Sequence, residues 1–201
     1  MSAVEIIGLA ASFSLLAGWR LYACVAIAGL AMRLDLIDAP SNMAALQALE
    51  NPWVIGVASV GAVAELFADK VMWLDSLWDG IHTLIRPLGG ALLALAIVDA
   101  SDPAWQVVIF LLGGGAALLG HGAKAGTRAI VNTSPEPFSN MAVSSAEDVV
   151  TFAGLGLALA YPGVALAAAV VLIGICALIV VASWRLIARA RRWIAPAKSG
   201  N

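Results

Sequence analysis

Charged residues are scarce in this chain of 201 residues: Asp, Glu, Lys and Arg make up only 12% of it, and 62% of its residues are hydrophobic. Soluble domains usually carry about 25% charged and about 45–50% apolar residues. Charges this sparse cannot cover the surface of a water-soluble globule of this length. The composition therefore predicts a protein whose main solvent is the lipid bilayer.

Several other features are also scarce. The net charge is only −2, and the basic residues are spread over short loops and the C-terminal tail, which argues against nucleic acid as a partner. The two cysteines, Cys24 and Cys176, each lie inside an apolar run, where packing is expected rather than a disulfide or a metal site. The sequence has no Gly-rich phosphate loop, nucleophile elbow or His-Glu-x-x-His zinc helix. It therefore identifies no cofactor and no catalytic residue.

Long apolar runs are what the chain does contain. A membrane-spanning helix needs about 20 largely apolar residues, and segments rich in Pro, Asn and Asp separate six such runs. The sequence predicts an all-α, polytopic transmembrane helix bundle with about six spans. It forms a single domain over residues 1–190, followed by a basic tail at 191–201. The predicted spans cover residues 4–32, 52–68, 77–98, 104–128, 145–161 and 163–187.

Basic residues near the ends of these spans predict the orientation, because cytoplasmic loops carry an excess of Lys and Arg. With six spans, both termini are then expected on the cytoplasmic side of a bacterial inner (plasma) membrane. The residues that decide this are Lys70, Lys124, Arg128, Arg185, Arg189, Arg191, Arg192 and Lys198.

Ionisable residues concentrate in two predicted helical hairpins, one joining spans two and three and the other joining spans four and five. Both have the order helix, polar turn, helix, with a proline-bearing break, which indicates a weak internal duplication. Asp75, Asp79, His82 and Arg86 follow one another at spacings of 4, 3 and 4, so they share one helical face. The candidate pathway residues are Glu65, Asp69, Asp75, Asp79, His82, Arg86, His121, Lys124, Arg128, Glu136, Glu147 and Asp148.

Some of these charges lie well inside apolar runs and need partners. An isolated charge at the bilayer centre costs at least ~2.5–3.5 kcal/mol on insertion scales. We expect the acids of one hairpin to face the bases of the other. The predicted pairs are Glu147 or Asp148 with Arg86, and Glu65 or Asp69 with Lys124 or Arg128.

Two further expectations concern smaller sets of residues. Arg20 lies in the middle of the first predicted span and is expected to need an acidic partner such as Glu65. Asp75, Asp79 and His82 can converge on one metal ion, because carboxylate and imidazole at i, i+4 and i+7 lie on one side of a helix. Three such residues form an unspecific pattern.

Three motifs link the chain to a known family: Glu65-Leu-Phe-Ala-Asp69-Lys70, Ser134-Pro-Glu-Pro137 and Ser144-Ser-Ala-Glu147-Asp148. With them the chain resembles a bacterial multi-pass membrane family catalogued only as a domain of unknown function (four-one-two-six). The resemblance covers about residues 5 to 185 and implies no activity. It implies that the polar hairpins, rather than the apolar helices, are the signature of the family.

Three functions remain as alternatives. The favoured one is a small-solute or ion translocator, a channel or carrier, because intramembrane charges beside broken helices usually mark a substrate pathway. The second is a non-catalytic scaffold or accessory subunit whose ion pairs lock the helices together. The third is a flippase or enzyme that holds lipid phosphate through Arg86, Lys124 and Arg128. The lipid bilayer is a partner in all three, the bound species is a small solute, an ion or a lipid headgroup, and a homo-oligomer or a larger membrane complex stays open.

Overall fold

The computed structural model describes residues 1–36, 44–98, 100–132 and 137–194. Helices are the only regular secondary structure in these ranges, which confirms the all-α class. The helices are α1 (Ala3–Arg33), α2 (Ala44–Leu49), α3 (Pro52–Ala68), α4 (Met72–Ile97), α5 (Pro103–Val131), α6 (Pro137–Ala160) and α7 (Pro162–Ile194). The candidate residue Glu136 lies outside the described residues.

The helices begin where the sequence supplies caps. At the start of α1 the Ser2 backbone N–H donates to the Glu5 carboxylate at 2.6 Å, and the Glu5 N–H donates to the Ser2 hydroxyl at 3.3 Å, which forms a capping box. Asn51 and Asp102 cap α3 and α5, and each is followed by a proline in the first turn. These signals explain why the observed starts of α3 and α5 match the predicted ones within a residue.

Five of the described helices, α1 and α4 to α7, are long and apolar enough to cross a bilayer by length and composition. Helix α3, predicted as the second span, is shorter at 17 residues. Large apolar side chains face outward, as on α3, where Trp53 is 82% and Phe67 72% exposed. An apolar outer surface over several helices is that of a multi-pass membrane protein. Cys24 and Cys176 are both free and buried.

Helix α1 lies at the centre of the bundle and contacts every other helix. Small residues allow the close approach. A Cβ at Gly18 would lie 2.2 Å from the Ala117 carbonyl oxygen, and a Cβ at Gly8 would lie 2.6 Å from the Leu166 backbone nitrogen.

The first half of α1 runs antiparallel to α4. Ile7 and Val98 line one cavity, so the start of α1 lies beside the end of α4. Further along, the Ser14 hydroxyl donates to the Gly90 carbonyl at 2.9 Å. The helix is then interrupted at Arg20, whose φ of −139° and ψ of 72° are not helical.

The second half of α1 returns toward the end from which the first half came. Leu21 packs against Gly89, and Gly29 packs against Ile55 near the start of α3. Because a turn over residues 69–71 joins the end of α3 to the start of α4, the start of α3 lies toward the opposite end of the bundle. Helix α1 is therefore a helical hairpin with Arg20 at its tip, and the prediction of one continuous span over residues 4–32 is wrong.

The bundle consequently has two different ends. The apolar end holds the start of α1, the end of α4, the start of α5 and the α6–α7 connection. The charged end holds the α3–α4 connection, the end of α5, the start of α6 and the last turns of α7, because Ser183 packs against Gly126 near the end of α5. The N-terminus and the end of α7 thus lie at opposite ends of the bundle, contrary to the prediction from six spans, which counted α1 as a complete crossing.

Candidate functional site

A network of buried ion pairs occupies the charged end, where α1, α3, α4, α5 and α6 meet. All of its members lie within 4.0 Å of an oppositely charged partner. They are Arg20, Glu65, Asp69, Lys70, Asp75, Asp79, Arg86, Lys124, Arg128, Glu147 and Asp148. We call this set the ion-pair network.

The spacing of Asp75, Asp79, His82 and Arg86 has the predicted consequence, because all four are buried on one face of α4. This face turns away from lipid and toward α1 and α5. The other helices then add opposite charges to the same space.

Lys124 of α5 lies at the centre of the network. Its Nζ is 2.6 Å from Asp69 at the end of α3, 3.4 Å from Asp79 and 3.9 Å from Asp75. The Lys124 and Asp69 side chains are both fully buried. The predicted pairing of Asp69 with Lys124, which joins the two hairpins, is therefore present.

Arg20 connects the tip of α1 to the network. Its guanidinium contacts Asp69, and its Nε donates to Asp148 at 2.8 Å. Asp148 also accepts a hydrogen bond from Lys70 at 2.6 Å. Arg20 thus has acidic partners, but the prediction of Glu65 among them is wrong. The break in α1 directs the guanidinium toward Asp69 at the end of α3 and Asp148 of α6.

Arg86 pairs within the first hairpin. It donates to Glu65 at 2.9 Å and to Asp79 at 2.7 Å. The predicted pairing with Glu147 or Asp148 is wrong, because Glu65, one turn before the end of α3, reaches Arg86 instead. Glu147 instead accepts from Arg128 at 2.8 Å, within the second hairpin.

His82 faces aromatic side chains rather than the carboxylates. Its Nδ1 lies 2.8 Å from the Trp78 carbonyl oxygen, which can only accept, so Nδ1 carries the proton. Its Nε2 lies 3.0 Å from the Tyr22 hydroxyl, which can donate or accept, and the ring stacks on Trp78. His82 thus pairs with these two aromatic residues and lies outside the ion-pair network.

His121 is neutral. Arg86 Nη1 lies 2.9 Å from its Nδ1, and because a guanidinium can only donate, this nitrogen is unprotonated. The other ring nitrogen donates to the Thr83 hydroxyl at 3.2 Å, which in turn donates to the Asp79 carbonyl at 2.9 Å.

The predicted metal set of Asp75, Asp79 and His82 does not assemble. Asp69 joins Asp75 and Asp79 instead, with carboxylate oxygens that all lie within 4.8 Å of one another. The Lys124 ammonium is within 3.9 Å of an oxygen of each. It therefore occupies the position among the three carboxylates that a metal ion would take.

Several buried polar atoms of the network form no hydrogen bond within the described part of the chain. Glu65, Asp69, Asp75, Arg86 and Arg128 each contribute at least one such atom. Since buried polar groups are nearly always hydrogen-bonded, the network has the capacity to bind a further small polar species.

The family described as a domain of unknown function (DUF4126) matches residues 7–182. The chain belongs to this family. All eleven members of the ion-pair network lie inside the matched stretch. No curated protein and no solved structure matches the chain.

Sequence reasoning about this DUF4126 chain missed four residues of the site: Arg20, Lys70, Asn140 and Tyr22. Lys70 was used only as a loop charge that indicates the orientation. Arg20 was expected to be paired but was not among the candidates, although a charge in the middle of a long apolar run was a signal. Asn140 and Tyr22 gave no such signal. Asn140 accepts a hydrogen bond from Arg128 and donates one to the Asp69 carbonyl at 3.2 Å. An uncharged polar residue has no obligatory partner that a pattern could reveal.

Proposed function

We propose that this protein is a small-solute or ion translocator of the bacterial inner membrane, and that the ion-pair network is its binding site. The observation that carries the proposal is the break of α1 at the fully buried Arg20, inside a network of charges. Transporters commonly place the ends of discontinuous helices at a mid-membrane binding site. Irregular backbone at membrane depth is tolerated where it is buried in protein or lines a cavity.

The break also supplies polar groups beyond the side chains. A helix end leaves up to about four backbone N–H or C=O groups without partners inside the helix. The second half of α1 begins after Arg20, whose guanidinium contacts Asp69 and Asp148, and the positive end of a helix dipole favours nearby carboxylates. Such an arrangement supports an ion-binding role at the tip.

The network forms a continuous chain of charges from the surface into the bundle. Lys70 is 32% exposed and contacts Asp148, which is 19% exposed. From there the contacts pass through Arg20, Asp69, Lys124, Asp79 and Arg86 to Glu65, which is fully buried. Arg86 lies about 20 Å along α4 from its first residue, at 1.5 Å per residue.

The charged end faces the cytoplasm in this proposal. Arg185, Arg189 and Arg192 are exposed on the last turns of α7, at that end of the bundle, and cytoplasmic segments are enriched in basic residues. The N-terminus, at the apolar end, then lies on the opposite side of the membrane.

A scaffold is the second candidate, because each of the five cations has at least one carboxylate within 2.9 Å, as bracing pairs would. Lipid-phosphate chemistry has less support. Arg86, Lys124 and Arg128 are all buried and held by carboxylates, which a phosphate would have to displace.

The test is ion flux in proteoliposomes that contain dyes sensitive to H⁺, Na⁺ or K⁺. The Arg86→Met, Glu65→Met double variant removes a whole pair and is expected to fold yet lose flux. Arg185→Met, an exposed arginine replaced in the same way, is the matched control and should retain flux. Full flux in the folded double variant would exclude this pair from the path, and a wild-type protein that carries no flux would favour the scaffold.

A further inference from the structure

The ion-pair network does not balance its own charge. Its five cations are Arg20, Lys70, Arg86, Lys124 and Arg128, and its six carboxylates are Glu65, Asp69, Asp75, Asp79, Glu147 and Asp148. The hydrogen bond from Arg86 to Nδ1 makes the His121 ring neutral, and His82 lies outside the network, stacked on Trp78. With every carboxyl ionised, the network would carry one net negative charge.

A net charge in this location is unfavourable. Most members of the network are buried within a bundle whose outer surface is apolar, and an uncompensated charge in such surroundings tends to be neutralised by protonation. The missing positive charge is either a bound metal ion or a proton. Because the Lys124 ammonium already occupies the space among Asp69, Asp75 and Asp79, the geometry favours the proton.

One carboxyl group differs from the other five. The carboxyls of Glu65, Asp69, Asp79, Glu147 and Asp148 each have an oxygen within 2.9 Å of a cationic nitrogen. The closest cationic nitrogen to Asp75 is Arg128 Nε at 3.5 Å, followed by Lys124 Nζ at 3.9 Å. Neither Asp75 oxygen accepts a hydrogen bond from the described residues, although the residue is fully buried.

Burial also favours the neutral form of Asp75. The residue is fully buried, and the loss of water disfavours its ionised form. Asp79 follows it on α4 and Asp69 approaches from the end of α3, and these like charges act in the same direction. Lys124 and Arg128 of α5 oppose them, and Arg128 is already paired with Glu147 of α6.

We propose that Asp75 is the proton-binding group of the network, held as a neutral carboxylic acid at rest. On binding, a proton passes from hydronium at the charged end to one oxygen of the Asp75 carboxylate and forms an O–H bond. On release the bond breaks and the carboxylate returns, with no change in oxidation state. The Asp69 and Asp79 carboxylates, with oxygens within 4.8 Å, are acceptors close to the acid form. That this proton is also the transported or coupling ion rests on the proposed function.

The proton can be observed directly by infrared difference spectroscopy of the purified protein during a pH jump. A buried carboxylic acid gives a C=O stretching band that an ionised carboxylate lacks. The wild type should show such a band, Asp75→Asn should lose it, and Asp75→Glu should retain it at a shifted frequency. Asp102→Asn, which replaces an exposed aspartate outside the network and preserves a capping residue, is the matched control and should leave the band unchanged.

The outcomes separate this proposal from the translocator. A band that persists in Asp75→Asn, or no band in the wild type, would overturn the proton site. If Asp75→Asn fails to fold, as judged by thermal unfolding, the frequency shift in Asp75→Glu decides the question alone. A wild type with the band but without flux of H⁺, Na⁺ or K⁺ in proteoliposomes would keep the proton site and reject the ion translocator. Proton flux without the band would keep the translocator and reject the proton site.

Discussion

At the scale of single residues, most charges of the network are buried. Each of them needs an opposite charge nearby, because water does not solvate it. Arg86 and Glu65 are both fully buried and 2.9 Å apart. Removing one member of a buried pair costs about 3–5 kcal/mol, whereas replacing both by apolar residues is often neutral. We expect Arg86→Met to lower the free energy of unfolding by about 3–5 kcal/mol. Adding Glu65→Met should recover much of that loss, since Asp79 keeps Lys124 at 3.4 Å.

Thermal unfolding in detergent measures both variants. Arg185→Met makes the same chemical change at an exposed position and is expected to alter stability by no more than about 0.5 kcal/mol. If the double variant is no more stable than Arg86→Met, the single change does not leave Glu65 as an unpaired buried charge.

The same residues show how far sequence reasoning reached. The Asp69–Lys124 pair was predicted because opposite charges of the two hairpins were expected to meet, and the common face of Asp75, Asp79, His82 and Arg86 followed from their spacing. The partner of Arg86 was not predicted correctly. The spacing of residues determines which of them share a helical face, but not how far that face lies from other helices. That distance decides whether Arg86 pairs with Glu65 or with Glu147.

At the scale of elements, the hairpin of α1 depends on close backbone contact with α5. A Cβ at Gly18 would lie 2.2 Å from the Ala117 carbonyl oxygen and 2.7 Å from the His121 nitrogen, both of them backbone atoms. Backbone cannot give way as a flexible side chain can, so Gly18→Ala must displace α1. Overpacking of this kind costs about 1–3 kcal/mol, and we expect a loss of that size in thermal unfolding.

Gly56→Ala is the control for this change. A Cβ at Gly56 of α3 meets nothing within 4 Å, and alanine is favoured over glycine inside a helix by about 0.5–1 kcal/mol. The two substitutions are chemically identical and should change stability in opposite directions. Equal effects would mean that the contact between α1 and α5 is not tight.

The element scale also shows the limit of apolar runs as a signal. They located the other spans, and the caps at Asn51 and Asp102 fixed the starts of two helices. They did not reveal that α1 reverses its direction, because an apolar run shows how long a helix can be but not whether the chain turns back. The 31 residues of α1 exceed the roughly 20 needed for a crossing. That excess, with Arg20 in the middle, was the available sign of a break.

At the scale of the whole molecule, the bundle is asymmetric along its axis. The network fills the charged end, while a cavity of about 380 Å³ at the apolar end is lined almost entirely by apolar side chains such as Ile7, Val98 and Trp105. In that half the Ser14 hydroxyl is already bound to the Gly90 carbonyl. A charge that crossed the bundle by the proposed route would meet a low-dielectric region beyond Arg86. Translocation therefore requires α1 to move relative to α4 and α5.

The two ends also predict a topology that labelling can test. Because α1 turns back at Arg20, α3 to α7 are the described helices that run from one end to the other. This odd number places the N-terminus and the end of α7, which lies at the charged end, on opposite sides. Single cysteines at position 3 and position 71 report on these ends, in a background where the buried Cys24 and Cys176 are replaced by alanine. With the charged end cytoplasmic, a membrane-impermeant maleimide should label Ala3→Cys in intact spheroplasts and Val71→Cys only after lysis. Labelling of both positions, or protection of both, would show that α1 crosses the membrane completely, whereas the reversed pattern would retain the hairpin and invert the orientation.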